Sequence, residues 1–266
     1  MQRYGIVHPL YLSFFSKSLY RDVARNWKGL CLTYLLALLA LSVIPGVMKL
    51  QGDLTDFINT KAPGFVKQFP TITILDGKVS TDKPQPFYIK DEKTGKPAII
   101  IDTTGRITSL KGSPAAVLVT KTGVIIRTDK NNYKTFDLSD IKRLVVNRRV
   151  IYNWMDSFQN WSPLLFYPMA LVFSLIYHII GVVFYASVGL IFARTLQARL
   201  PFRAVVRLAV IAITPSVVLG TFLDIAGTSI PYWWYFSLLI STAYVYFAVR
   251  ANSGKEPHPA VSDSLS

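Results

Sequence analysis

Hydrophobic and polar positions divide this chain into long charge-free runs and one long polar stretch. Residues 30–47 hold 18 positions without a charge, 163–193 hold 31, 208–223 hold 16 and 230–249 hold 20. About 20 predominantly apolar residues span a hydrocarbon core of roughly 30 Å. The pattern therefore predicts four transmembrane helices, at 29–48, 163–193, 208–223 and 230–250, with a polar domain at 49–162 between the first two. The 31-residue run exceeds one crossing, so it is expected to tilt or to extend past the bilayer.

Within the polar stretch the period shortens. Residues 71–75, 87–90, 98–102, 115–120 and 124–128 are short and rich in β-branched residues. Turn signals separate them: Asp76-Gly77, Thr94-Gly95, Thr104-Gly105 and Thr122-Gly123. A meander of hairpins in a small, mainly antiparallel β domain of five to seven strands is expected. A short helix is expected at 53–59, ended before Pro63. A second is expected from Asp137 or Ser139, because Leu138, Ile141, Leu144, Val145 and Tyr152 fall near one helical face. It would lead into the second span, where Pro163 and Pro168 are expected to break it.

Ahead of the first span, residues 9–28 read as one amphipathic helix. Phe15, Leu19, Val23 and Trp27 share a face, and Lys17, Arg21, Arg25 and Lys28 share the opposite one. Segment 1–28 is thus expected to lie on an anionic leaflet. Nearly 30 residues precede the first apolar run and no small-residue cleavage site follows it, so span 1 is expected to stay as an anchor.

Charge orients the spans. The formal net charge is +14, from 29 basic and 15 acidic residues. Arg3, Lys17, Arg21, Arg25 and Lys28 precede span 1, and Arg194, Arg199, Arg203 and Arg207 fill the loop 194–207, whereas the loop 224–229 carries Asp224 alone. Short basic loops stay cytoplasmic. Both termini and loop 194–207 are then inside, with 49–162 and 224–229 outside. The tail 251–266 is polar and is expected to be disordered. The outside domain carries 18 Lys/Arg against 11 Asp/Glu, which does not oppose the assignment, because long domains translocate largely regardless of charge. Trp154, Trp161, Trp233 and Trp234 fall at the outer headgroup level and Trp27 at the inner one. The single cysteine, Cys31, leaves the outside domain without disulfides, so packing must hold it.

Candidate chemistry is sparse. Residues 99–105, IIIDTTG, resemble the apolar Asp-Thr-Gly of aspartic proteases, but an extra Thr splits the motif and no second copy exists. Asp102 reads better as the end of a strand in a polar turn. Within the spans, His178 and Asp224 are the polar groups that default to functional interest, Thr214-Pro215 kinks span 3, and Gly220 and Gly227 permit close packing. A bonded histidine and an interfacial carboxylate are the plainer readings. The sequence holds no Gly-rich phosphate loop, HExxH helix, nucleophile elbow or Cys/His cluster. No catalytic, metal-ligating or cofactor-binding residue is therefore assigned. Lys61, Lys67, Lys142, Arg143, Arg148 and Arg149 form a basic surface flanking the helices of the outside domain.

Several stretches resemble the bacterial DUF1189 family of uncharacterised four-span membrane proteins: Ser18-Leu19-Tyr20, residues 98–105 (AIIIDTTG), 117–123 (VLVTKTG) and 133–141 (YKTFDLSDI). The resemblance implies the same order of span, outside domain and three further spans, in the bacterial cytoplasmic membrane. It implies no catalytic residues.

The expected function is that of a non-enzymatic envelope sensor, scaffold or accessory protein whose outside domain binds a ligand, lipid or partner. The alternative is a transporter or transporter subunit with a pathway in spans 2–4. An envelope hydrolase using Asp102 is the remote third. Expected partners are membrane lipids, including anionic headgroups, and another membrane protein or a second copy of this chain. Nucleic acid is excluded by the expected location of the domain.

Overall fold

The computed structural model describes residues 3–129, 132–228 and 230–253, so most of the tail 251–266 lies outside the described residues. The chain divides into two compact units: Met1–Lys49 with Leu164–Ser266, and Leu50–Pro163.

The first unit is helical. Two short helices, α1 (Pro9–Leu12) and α2 (Lys17–Asn26), precede α3 (Leu32–Ser42) and the start of α4 (Ile44–Asp56). After the second unit come the remainder of α6 (Arg148–Thr195), then α7 (Phe202–Ala212), α8 (Thr214–Ile225) and α9 (Trp233–Ala251). Among the described residues, three helical stretches suffice by length and composition to cross a membrane: the 37 residues of Leu32–Gln68, the 48 of Arg148–Thr195 and the 24 of Phe202–Ile225. The fourth apolar run forms α9, of 19 residues, whose Trp233, Trp234, Tyr235, Tyr244, Tyr246 and Arg250 dilute its hydropathy.

At the centre of this unit lies α7. Residues 208–214 are buried on every side, packed against α2, α9 and α8. A helix apolar all round belongs in an interior. The N-terminal segment corrects the expectation of one interfacial helix. The chain breaks at Ser13–Phe15, Ser16 caps α2 by accepting from the Leu19 amide at 3.2 Å, and Phe15 is left exposed. Leu19, Tyr20, Val23, Ala24 and Trp27 are buried in the helical core. The apolar face was real, but protein covers it.

One buried carboxylate fixes that segment. Asp22 accepts from the Arg3 and Tyr4 amides, from Asn26 Nδ2 at 2.7 Å and from Trp27 Nε1 at 2.9 Å. Trp27 is thus a buried residue of the helical core. Arg207 of α7 donates to the Val23 and Ala24 carbonyls at 3.1 and 2.7 Å, and Arg21 donates to the Ala251 carbonyl at 2.7 Å. The arginines close the open ends of α2 and α9.

Helix α6 has two unlike faces. Leu171, Leu175, Val182, Ala186 and Leu190 turn to the helical core. Phe173, Ile176, Ile180, Val183 and Ile191 lie on the other face, each more than half exposed. Neither proline breaks the helix. Pro163 lacks the amide that would bond the Gln159 carbonyl, and Gln51 Nε2 and Ser162 Oγ donate to that oxygen instead, both at 2.9 Å. Close packing within the unit falls at Gly189, where a Cβ would sit 2.8 Å from Val205 Cγ1 and 3.2 Å from Val245 Cγ1. Gly220 packs against Trp233, whereas Gly227 has open space around it and a φ of +65°, so it serves as a helix end.

The second unit carries the remainder of α4, a π-helical turn (Phe57–Lys61) and α5 (Ala62–Gln68), followed by eight strands among the described residues. Helical backbone thus runs through Pro63, where a stop was expected: the π-helical turn Phe57–Lys61 leads directly into α5, in whose first turn the proline sits. The strands are β1 (Ile72–Leu75), β2 (Lys78–Thr81), β3 (Phe87–Lys90), β4 (Pro97–Ile101), β5 (Val117–Val119), β6 (Gly123–Arg127), β7 (Tyr133–Asp137) and β8 (Arg143–Val146). They form a three-stranded sheet ordered β2-β1-β8 and a five-stranded sheet ordered β3-β4-β5-β6-β7. Positive φ at Asp76 and Gly77 makes the tight β1–β2 turn. All pairings are antiparallel except β4–β5. The Thr104-Gly105 turn therefore opens a crossover and does not close a hairpin. The helix expected from Asp137 is replaced by β8, in which Leu144 and Val146 pack inward on alternate positions.

Gly189→Ala should lower the stability of the detergent-solubilised chain by about 1–3 kcal/mol, because the added Cβ would press on Val205 and Val245, both buried in the core. Thermal unfolding measures it, and an unchanged melting temperature would show that α6 can slide on α7.

Candidate functional site

The helical unit carries an open cavity of about 340 Å³ among α6, α8 and α9. Tyr177, His178, Gly181, Phe184 and Tyr185 of α6 form one wall, Ser216 of α8 a second, and Trp234, Ser237, Leu238 and Ser241 of α9 a third, with Ile213 at the α7–α8 junction. Aromatic and aliphatic walls carrying a few placed polar groups are the usual make-up of a small-ligand site.

The polar groups arise from local helix chemistry. Pro215 stands in the first turn of α8 and interrupts the helical run at Ile213. Ser216 Oγ donates to the Ile213 carbonyl at 2.8 Å, leaving its oxygen to accept from Ser241 Oγ, also at 2.8 Å. Ser237 and Ser241 lie one turn apart on α9, so both reach the same wall. In His178, Nδ1 lies 2.8 Å from the Ser174 carbonyl. A carbonyl only accepts, so Nδ1 is the donor, and Nε2 of the neutral ring is an acceptor. No donor among the described residues meets Nε2. The cavity thus offers one unused imidazole acceptor beside a bonded serine pair.

Of the residues singled out in the sequence, His178 lines this cavity. Thr214 is fully buried, and its hydroxyl meets the Tyr34 hydroxyl at 2.8 Å, joining α8 to α3. Pro215 is buried beside it. Asp224 is exposed in the last turn of α8, away from the cavity. Ser216, Ser237 and Ser241 went unnoticed in the sequence. Their signal was slight: a serine after a Thr-Pro break and a serine pair at helical spacing in an apolar run.

Asp102 belongs to the β-rich unit and is fully buried. One carboxylate oxygen accepts from the Thr104 amide at 2.9 Å and from the Thr104 hydroxyl, and the other from the Ile107 amide. Burial pushes the carboxyl up, but these hydrogen bonds outweigh it and hold the group below its ordinary value of 3.8. Both oxygens accept hydrogen bonds at the start of the β4–β5 crossover. Among the described residues, no group of three or more His, Cys, Asp or Glu is placed to hold a metal.

The family model for proteins of unknown function DUF1189 matches residues 7–249, and the chain belongs to that family. No curated protein and no solved structure matches it.

Asp102→Ala should destabilise the β-rich unit by about 2–4 kcal/mol, since two amides and a hydroxyl lose their acceptor. A folded-state value below 3.8 means that the ionised carboxylate stabilises the fold above that pH. The gap between wild type and variant should therefore narrow as pH falls below about 4. Hydrogen exchange of residues 102–107 reads both effects, and a gap constant down to pH 2 would contradict the bonded carboxylate.

Proposed function

We propose that this member of the DUF1189 family is a non-enzymatic, four-crossing protein of the bacterial cytoplasmic membrane that acts as a ligand-responsive sensor or accessory subunit. Its ligand is a small, largely apolar molecule bearing one O–H or N–H donor. The single observation that carries the reading is the α6–α8–α9 cavity with the unused Nε2 acceptor of His178 on its wall. The stripe of exposed apolar residues on α6 supports insertion, because lipid removes from water what the protein does not cover. In the proposed orientation α3 with α4, α6, α7 with α8, and α9 are the crossings. Both termini and residues 194–207 are cytoplasmic, and residues 49–162 are extracytoplasmic.

A transport pathway is the less favoured use of the same helices. Ile213 lines the cavity, and the stretch 208–214 to which it belongs is buried among packed side chains. A conduit would have to part that packing.

Native mass spectrometry of protein released gently from membranes should reveal a co-purifying small molecule. His178→Ala should lower its occupancy about tenfold, the worth of one good hydrogen bond. Equal occupancy in both proteins would overturn the site. Protease added to sealed spheroplasts should cut within residues 49–162, and protection until lysis would reverse the orientation.

A further inference from the structure

We propose that Lys83, Arg148 and Arg149 of the β-rich unit form a second site, for a phosphoryl-bearing anion. It is independent of the cavity beside His178. These three cations line a cavity of about 460 Å³ together with Thr71, Asp82 and Asn147. Asp82 is the one carboxylate there, and its Oδ1 accepts from the Thr71 amide at 3.1 Å. Three cations against one carboxylate leave +2 in a concave space.

The arginines are presented for a ligand. Arg148 donates through Nε to the Phe69 carbonyl at 3.2 Å, which fixes the guanidinium and leaves its terminal nitrogens available. No carboxylate among the described residues pairs with Arg149 or Lys83. Asn147 Oδ1 accepts from the Val150 amide at 3.0 Å, so the start of α6 is capped and held in place. Arg148 and Arg149 are the first residues of that helix, and their amides precede the first intrahelical bonds. Planar guanidinium forks and a helix start favour an oxyanion with several acceptor oxygens, and a phosphoryl group meets that demand. The groove is open, with Lys83, Arg148 and Arg149 all exposed, so it admits a phosphoryl group carried on a larger body, either a phospholipid headgroup or a soluble phosphate ester.

The test uses the full chain in a non-ionic detergent at low ionic strength. Inorganic pyrophosphate, titrated calorimetrically, should bind saturably, and Lys83→Gln and Arg149→Gln should each weaken it about tenfold. Arg149→Lys should recover part of the loss. Both positions are exposed, so the variants should melt as wild type does. In a second arm, nanodiscs of phosphatidylglycerol or phosphatidylcholine report the source. Selective retention of phosphatidylglycerol by wild type, lost in Arg149→Gln, identifies a headgroup. Pyrophosphate binding without lipid selectivity identifies a soluble ester. Absence of saturable binding in both arms, or binding indifferent to the substitutions, overturns the site. His178→Ala should leave both arms unchanged, which separates this result from the fate of the first cavity.

Discussion

The helical unit depends on how its helix ends are closed. A helix leaves its last four carbonyls without amide partners, and in an apolar surrounding each orphan is costly. Arg207 of α7 takes two carbonyls at the end of α2, and Arg21 of α2 takes the last carbonyl of α9. Asn252 adds donors to the Tyr20 and Ala248 carbonyls at 3.4 and 2.9 Å. The three helices thereby fix one another. A cation at a helix C-terminus is also favoured by the backbone dipole. The same arginines that orient the chain in the proposed membrane reading thus tie its helices together.

This closure accounts for the place of the N-terminal segment. Asp22 gathers the amides of Arg3 and Tyr4 and the side chains of Asn26 and Trp27, which turns the entering chain back onto α2. An isolated amphipathic helix with this pattern would suit a lipid surface. Here α7 and α9 offer the apolar face a better-packed partner. On α6 the opposite holds: its outer stripe finds no protein partner among the described residues, and lipid is the medium proposed to cover it.

The two cavities rest on different chemistry. Beside His178 the polar groups are neutral, and Ser216 and Ser241 bond one another while the Nδ1 of His178 is bonded to the Ser174 carbonyl. That arrangement suits an apolar ligand positioned by one donor. The cavity at the start of α6 is cationic, and its single carboxylate is bound to backbone. That arrangement suits a charged oxyanion, with an affinity that salt should weaken.

Much of the architecture was legible because burial leaves a period in the sequence. The charge-free runs became helices, and the five β-branched segments became β1, β3, β4, β5 and β6. Where the period was absent or ambiguous, the reading failed. Strand β7 is exposed along its whole length, so no alternation marks it. Leu138, Ile141, Leu144 and Val145 sit at helical spacings, yet β1 offered 144 and 145 a ladder and made β8 a strand. Pro163 should have ended a helix, but Gln51, distant in sequence, supplies a donor to the carbonyl that the proline leaves open. Composition and periodicity by themselves determined which segments must leave water and which could form strands, since both follow from local side-chain chemistry. Only the tertiary structure decided which protein surface covers α2, which carbonyls receive Arg21 and Arg207, and which serines share a cavity with His178, because those partners are brought together by packing between segments far apart in the chain.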